Sequence, residues 1–198
     1  MRELRIHGRG GQGAVIASKV LAAALFRDGQ DVQSFPAFGV ERRGAPVTAF
    51  LRFDDAAIRL RCEITKPDEL IVLDPTLVEA VNVTTGLRDK GIILINSTRR
   101  PEEYEDLSAR FTVATVDANT IARHHGLGSK TQPIVNTAIL GAFAAYTGLV
   151  RLESVCEAIA EQVPYQTEAN VAAAQEAATA VLGTPPAESD HVRHTSTV

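Results

Sequence analysis

Two short segments carry side chains and spacings that could do chemistry. The first is Gly8-Arg9-Gly10-Gly11-Gln12-Gly13, where Gly8, Gly10 and Gly13 satisfy the G-x-G-x-x-G spacing. Glycines at such positions permit a tight turn and let backbone N–H groups at a helix start face an anion. The second lies within residues 35–46 and contains Phe38, Gly39, Glu41, Arg42 and Arg43. Two guanidinium groups beside one carboxylate either hold each other by ion pairing or leave one free for phosphate or carboxylate. Phe35 and Phe38 make that loop amphipathic, which suits it to an interface.

A dinucleotide site needs a third part, an acidic residue at the end of the second strand to hold a ribose hydroxyl. Here that strand ends Ser34-Phe35-Pro36, and Asp31 stands at its start. Arg9 and Gln12 are also long side chains where close approach is wanted. The favoured reading is a turn that packs a helix on a sheet, or that presents Arg9 and Gln12 to a partner. A stand-alone dinucleotide-binding oxidoreductase is the alternative.

Other chemically capable residues have plainer readings. His7 ends a strand and is read as a hydrogen-bonded structural imidazole. His124 and His125 close a helix, where positive charge suits the dipole, so capping is expected in preference to metal binding. His191 and His194 fall in a terminal tail with no companion ligands. Asp74 and Asp117 end strands and are read as turn and cap residues, and Asn136 and Thr137 as packing residues. Cys62 and Cys156 belong to no C-x-x-C and are expected to be two buried, reduced thiols.

These residues need elements to position them. Residues 3–7 alternate around Leu4 and Ile6, residues 14–27 are Ala- and Leu-rich at helical spacing with Gly29 beyond, and residues 31–35 read as a second strand. The opening is thus expected to be a parallel βαβ unit whose two strands are neighbours. Residues 47–53 and 57–61 are read as strands of a hairpin turning at Asp54-Asp55. Continuous apolar runs at 69–73, 91–95 and 111–116 suit central parallel strands covered on both faces. Helices are expected from Asp117 to about His125, over 134–146 with Pro133 at the first turn, and over 152–161 and 168–181. The fold class is therefore α/β: a single three-layer-type domain, 1–182, with a mainly parallel sheet, one β-hairpin and C-terminal helices. Residues 183–198, rich in Pro, Ser, Thr and His, form a flexible or partner-wrapping tail.

Composition narrows the function classes. Of the 198 residues 45% are hydrophobic and 22% charged, as in ordinary globular chains. A net charge of −4 and the absence of Trp argue against nucleic acid, which needs a basic field and stacking surfaces. The apolar stretch 134–150 is interrupted by Asn136, Thr137, Tyr146 and Thr147, unlike a membrane span. With a strand-like pattern beginning by Leu4, no signal peptide is expected, and the chain is read as cytoplasmic.

Five ordered segments carry a family resemblance. They are Ile6 through Ala14, Phe35-Pro36 with Phe38 through Val47, Ile58-Arg59-Leu60-Arg61, Asp74-Pro75-Thr76-Leu77, and Pro133 through Phe143. Together, over residues 2 to 162, they resemble the gamma subunit, or fused gamma domain, of pyruvate:ferredoxin and related 2-oxoacid:acceptor oxidoreductases. The resemblance implies a chain inactive alone, working with alpha, beta and delta-type (ferredoxin-like) subunits and in some enzymes a flavin subunit. It implies a complex that holds thiamine diphosphate, Mg2+ and 4Fe–4S clusters in the partner chains and uses coenzyme A (CoA). It further implies that Gly8, Arg9, Gly10, Gly11, Gln12, Gly13, Phe38, Gly39, Glu41, Arg42 and Arg43 lie near the CoA or substrate channel or a subunit interface, with no catalytic residue and no metal in this chain. A pyruvate-type enzyme is the expectation, with an aryl glyoxylate or another 2-oxoacid as the alternative.

Overall fold

The computed structural model describes residues 1–37 and 44–186. Six strands form one sheet: β1 (Arg2–Arg9), β2 (Asp31–Pro36), β3 (Pro46–Asp54), β4 (Glu69–Val72), β5 (Ile92–Asn96) and β6 (Thr112–Val116), in the order β2-β3-β1-β4-β5-β6. β1, β4, β5 and β6 are mutually parallel, and β3 runs antiparallel to both β1 and β2. Every residue of β4 and β5 is buried, as strands covered on both faces must be. Period-two alternation sends Ile71, Ile92, Leu94 and Ala114 to one core and Leu70, Val72, Ile93, Ile95 and Val113 to the other.

The larger core is roofed by α1 (Ala14–Arg27), α4 (Ala118–His124), α5 (Ala138–Thr147), α6 (Leu152–Gln162) and α7 (Thr167–Ala180). Two single-turn helices, α2 (Leu77–Ala80) and α3 (Glu105–Ser108), lie with the smaller core. Without Trp, the packing relies on small residues brought close. A Cβ added at Gly141 of α5 would stand 1.8 Å from the Ala174 carbonyl oxygen of α7, so only glycine permits that helix contact. Beside it, Leu140 and Phe143 are fully buried, each contributing about 2 kcal/mol of transfer free energy.

Several expectations are confirmed in detail. Gly29 follows α1 in the left-handed region (φ 90°), and the Asp117 carboxylate caps α4 by accepting the Thr120 N–H at 3.0 Å. Others are corrected. β2 and β1 run in the same sense but are not neighbours, because β3 lies between them. The hairpin is formed by β2 and β3, and residues 57–61 are an irregular, largely exposed segment. Both edges of β3 are already paired, to β1 and β2, which leaves no edge for a further strand. α5 begins at Ala138, four residues late: Pro133 bridges Gly128, and the Ile134 N–H donates to Leu127 at 3.1 Å. Cys62 is exposed and Cys156 half-buried, so the thiols are free but neither is the buried core residue that was expected.

At the carboxyl end of the described chain, Leu182 bridges Thr115, and the Tyr146 hydroxyl donates to the Thr184 carbonyl at 2.6 Å. Residues 187–198, with His191 and His194, lie outside the described residues.

Candidate functional site

β1 delivers the glycine loop to the carboxyl edge of the sheet, the edge where open α/β sheets bind ligands. The β1–β3 ladder continues past the strand into the loop: the Gly10 N–H donates to the Ala45 carbonyl at 2.9 Å and the Gly44 N–H to the Gly10 carbonyl at 3.1 Å. The glycine loop is therefore zipped to the returning end of the 35–46 loop. Gly13 is left-handed (φ 80°), and a Cβ there would meet the Asn136 side chain at 2.4 Å. Turn and helix are thereby locked against the segment before α5. Gly11 is also left-handed, at φ 98°.

Arg9 is the hub. Its Nε donates to the Asp74 carboxylate at 2.9 Å, one terminal nitrogen to the Gly44 carbonyl at 3.1 Å and the other to the Thr76 hydroxyl at 2.8 Å. Gln12 folds back over the loop, accepting the Arg9 N–H at 2.7 Å and donating to Asp74 at 3.3 Å. Burial alone would raise the Asp74 carboxyl, but hydrogen bonds from Thr76 and Arg9 hold it below the usual carboxylate range. Arg9 is thus a clamp joining the loops after β1 and β4, with each nitrogen that donates committed to protein.

Beside this clamp opens a cleft of about 760 Å³, lined by Arg9, Gln12 and Asp74 together with Arg123, Lys130 and Ile134. It is large enough for a drug-sized or cofactor-sized ligand. Arg9 and Asp74 neutralise each other within the lining, so its remaining charged side chains are Arg123 of α4 and Lys130. His7 lies behind the loop, with Nδ1 3.4 Å from the Thr48 hydroxyl. Burial, reinforced by the Arg5 charge, depresses it to about 4, so at neutral pH it is an uncharged structural imidazole.

Among the expected site residues, the structure brings Arg9, Gly10, Gly11 and Gln12 to the cleft wall, with Gly8 and Gly13 shaping the turn. Phe38, Gly39, Glu41, Arg42 and Arg43 lie outside the described residues. Asp74, Thr76, Arg123 and Lys130 were not expected as site residues. The signal for Asp74 was its place directly after an apolar strand, which marks this edge once β4 is known to pair with β1. The dinucleotide alternative loses its geometry, because β3 occupies the place beside β1 where a strand carrying the ribose-binding carboxylate would lie. Nor does the donor set fit an iron–sulfur cluster. Cys62 lies in the segment after β3 and Cys156 on α6, two thiolates short of the four that a cluster takes.

Fold and cleft define an α/β protein of mixed sheet with a clamped, glycine-lined crevice at its carboxyl edge. The chain belongs to the pyruvate ferredoxin/flavodoxin oxidoreductase family, whose model matches residues 3–180, and within it to the gamma-type subunits of multi-subunit 2-oxoacid oxidoreductases. It is 53% identical over 180 residues to the pyruvate/ketoisovalerate oxidoreductases common subunit gamma of Thermococcus kodakarensis, covering 89% of this chain and 95% of that one. It is 53% identical over 159 residues to the pyruvate synthase subunit PorC of Methanocaldococcus jannaschii, covering 80% and 84%. The crystal structure of the pyruvate oxidoreductase subunit PORC of Thermotoga maritima superposes with a TM-score of 0.77 at 34% identity, over 91% of this chain and 96% of that one. Other subunits of the enzyme are therefore its partners. Among the described residues no helix is long and apolar enough to cross a membrane.

Proposed function

We propose that this subunit supports a CoA-acylating, pyruvate-type 2-oxoacid oxidoreductase, and that its carboxyl-edge cleft forms one wall of the path taken by CoA. The observation that carries the second part is the cleft's construction. The Arg9–Gln12–Asp74–Thr76 clamp ties two loops together, and Arg123 and Lys130 line the same cleft as cations suited to phosphate groups. Arg42 and Arg43, which precede Gly44 in the sequence, are further candidate cations for the same ligand.

In this reading thiamine diphosphate, Mg2+ and the 4Fe–4S clusters belong to alpha, beta and delta-type partner chains, and the electron acceptor is met there. Residues 1–182 are taken as the subunit's domain and 183–198 as a flexible or partner-wrapping tail. Relatives described as common to pyruvate and ketoisovalerate oxidoreductases favour a subunit that serves more than one enzyme and leaves substrate choice to its partners. The assembly is tested by native purification from the source cell with this chain tagged, followed by mass spectrometry, a visible spectrum and an oxoacid panel. Co-purifying chains with iron–sulfur absorbance, bound thiamine diphosphate and CoA-dependent pyruvate oxidation are expected. A colourless, solitary chain would overturn the proposal.

A further inference from the structure

Away from the cleft, the carboxyl-terminal end of α4 meets α7 at three metal-ligating side chains. His124 Nδ1 lies 3.2 Å and His125 Nε2 2.7 Å from the same carboxylate oxygen of Glu176, and the three atoms all lie within 4.8 Å of one another. Among the described residues no other group of three His, Cys, Asp or Glu side chains is so placed. Consecutive residues of a helix do not face each other. Here they converge because α4 ends at His124 and His125 is its cap, so the second ring swings to the side of the first, their centroids 5.2 Å apart. The sequence suggested that these imidazoles serve the helix end; the structure gives both a carboxylate partner from a helix some fifty positions away.

We propose that His124, His125 and Glu176 bind a first-row transition-metal ion of the zinc class, through three protein ligands with at least one coordination position open. Two imidazoles and one carboxylate form a donor set that selects zinc, cobalt, nickel or copper over magnesium or calcium. Ligand atoms around a tetrahedral zinc ion stand about 3.3 Å apart, so small side-chain rotations suffice. The arms are anchored: the Gln166 side chain, at the start of α7, donates to the Gly126 carbonyl just after His125 at 3.2 Å. His124 and Glu176 are solvent-accessible, which leaves a path for the ion. Bound there, the ion would brace α4, whose preceding residue Arg123 faces the cleft, against α7.

The test is calorimetric titration of chelator-stripped full-length chain with zinc, alongside the visible spectrum on adding cobalt. One ion per chain, a cobalt d–d spectrum of a low-coordinate nitrogen–oxygen site and a metal-dependent rise in unfolding temperature are expected. Glu176→Gln should weaken binding at least about tenfold, and His124→Ala/His125→Ala should abolish the spectrum while leaving far-ultraviolet dichroism unchanged. No saturable binding, or binding equally tight in a folded double variant, would overturn the site.

Discussion

The two halves of the sheet are built on different principles. β4, β5 and β6 are sealed by aliphatic side chains on both faces, after a single charged residue, Glu69, at the start of β4. On one face β1 and β3 bury apolar residues such as Leu4, Ile6, Ala49 and Leu51, while the opposite face sets one large buried apolar side chain, Phe50, among charged and polar ones. There Glu3 pairs with Arg52 at 2.7 Å, and Arg52 also donates to the Glu63 carbonyl at 3.3 Å. Arg5 donates to the carbonyls of Val83 and Thr85 at 2.8 and 2.7 Å. Loops that offer carbonyls, in place of a helix, cover this face. The apolar half depends on volume, while the polar half depends on every charge keeping its partner. It is also the polar half that carries the glycine loop to the cleft.

Substitutions should separate the two. Arg52→Met leaves Glu3 buried without its counter-charge and should cost about 4 kcal/mol by chemical denaturation, whereas Glu3→Leu/Arg52→Met should recover most of that. Leu94→Ala, in the fully buried centre of β5, should cost about 3 kcal/mol through a cavity that no charge reversal repairs. Equal behaviour of the two positions would erase the distinction.

Proton uptake sharpens it further, because each half buries one ionisable group that is out of its ordinary range. His7 is lowered by burial and the Arg5 charge from 6.5 to about 4, so between those values only the unfolded chain takes up the proton and stability rises with pH. Burial of Glu69 outweighs its Arg2 partner and raises the carboxyl from 4.5 to about 7. There the folded chain keeps a proton that the unfolded chain loses, and stability falls as pH rises. Each group changes stability by at most about 3 kcal/mol over its window, and across most of the shared window the two trends oppose each other. Relative to the parent chain, His7→Phe should add a decline with rising pH and Glu69→Gln a rise. Denaturant midpoints from pH 4 to 7 check this, and superimposable profiles would contradict it. The smallest effect belongs to the cleft lining, where Asp74→Asn should lower stability by only about 1 kcal/mol in thermal melts, since the clamp is partly solvated.

The apolar half was legible in the sequence because uninterrupted runs such as Ile92 to Ile95 leave no face for water. The polar half was not. Alternation in Ala57-Ile58-Arg59-Leu60-Arg61 looks like a strand, yet strand formation needs a free neighbour, and pairing order is not written in periodicity. The same gap hid the cleft. The residues Arg9 and Gln12 stood out, but Asp74 became their partner only once β4 was seen to lie beside β1.

The most direct test of the cleft's role is the Michaelis constant for CoA of the assembled oxidoreductase carrying Arg123→Ala/Lys130→Ala in this subunit. Removing charge-assisted contacts to phosphate should raise KM for CoA about tenfold or more with kcat and subunit composition unchanged. A fully assembled variant enzyme with the parent KM for CoA would contradict the assignment of this cleft to CoA.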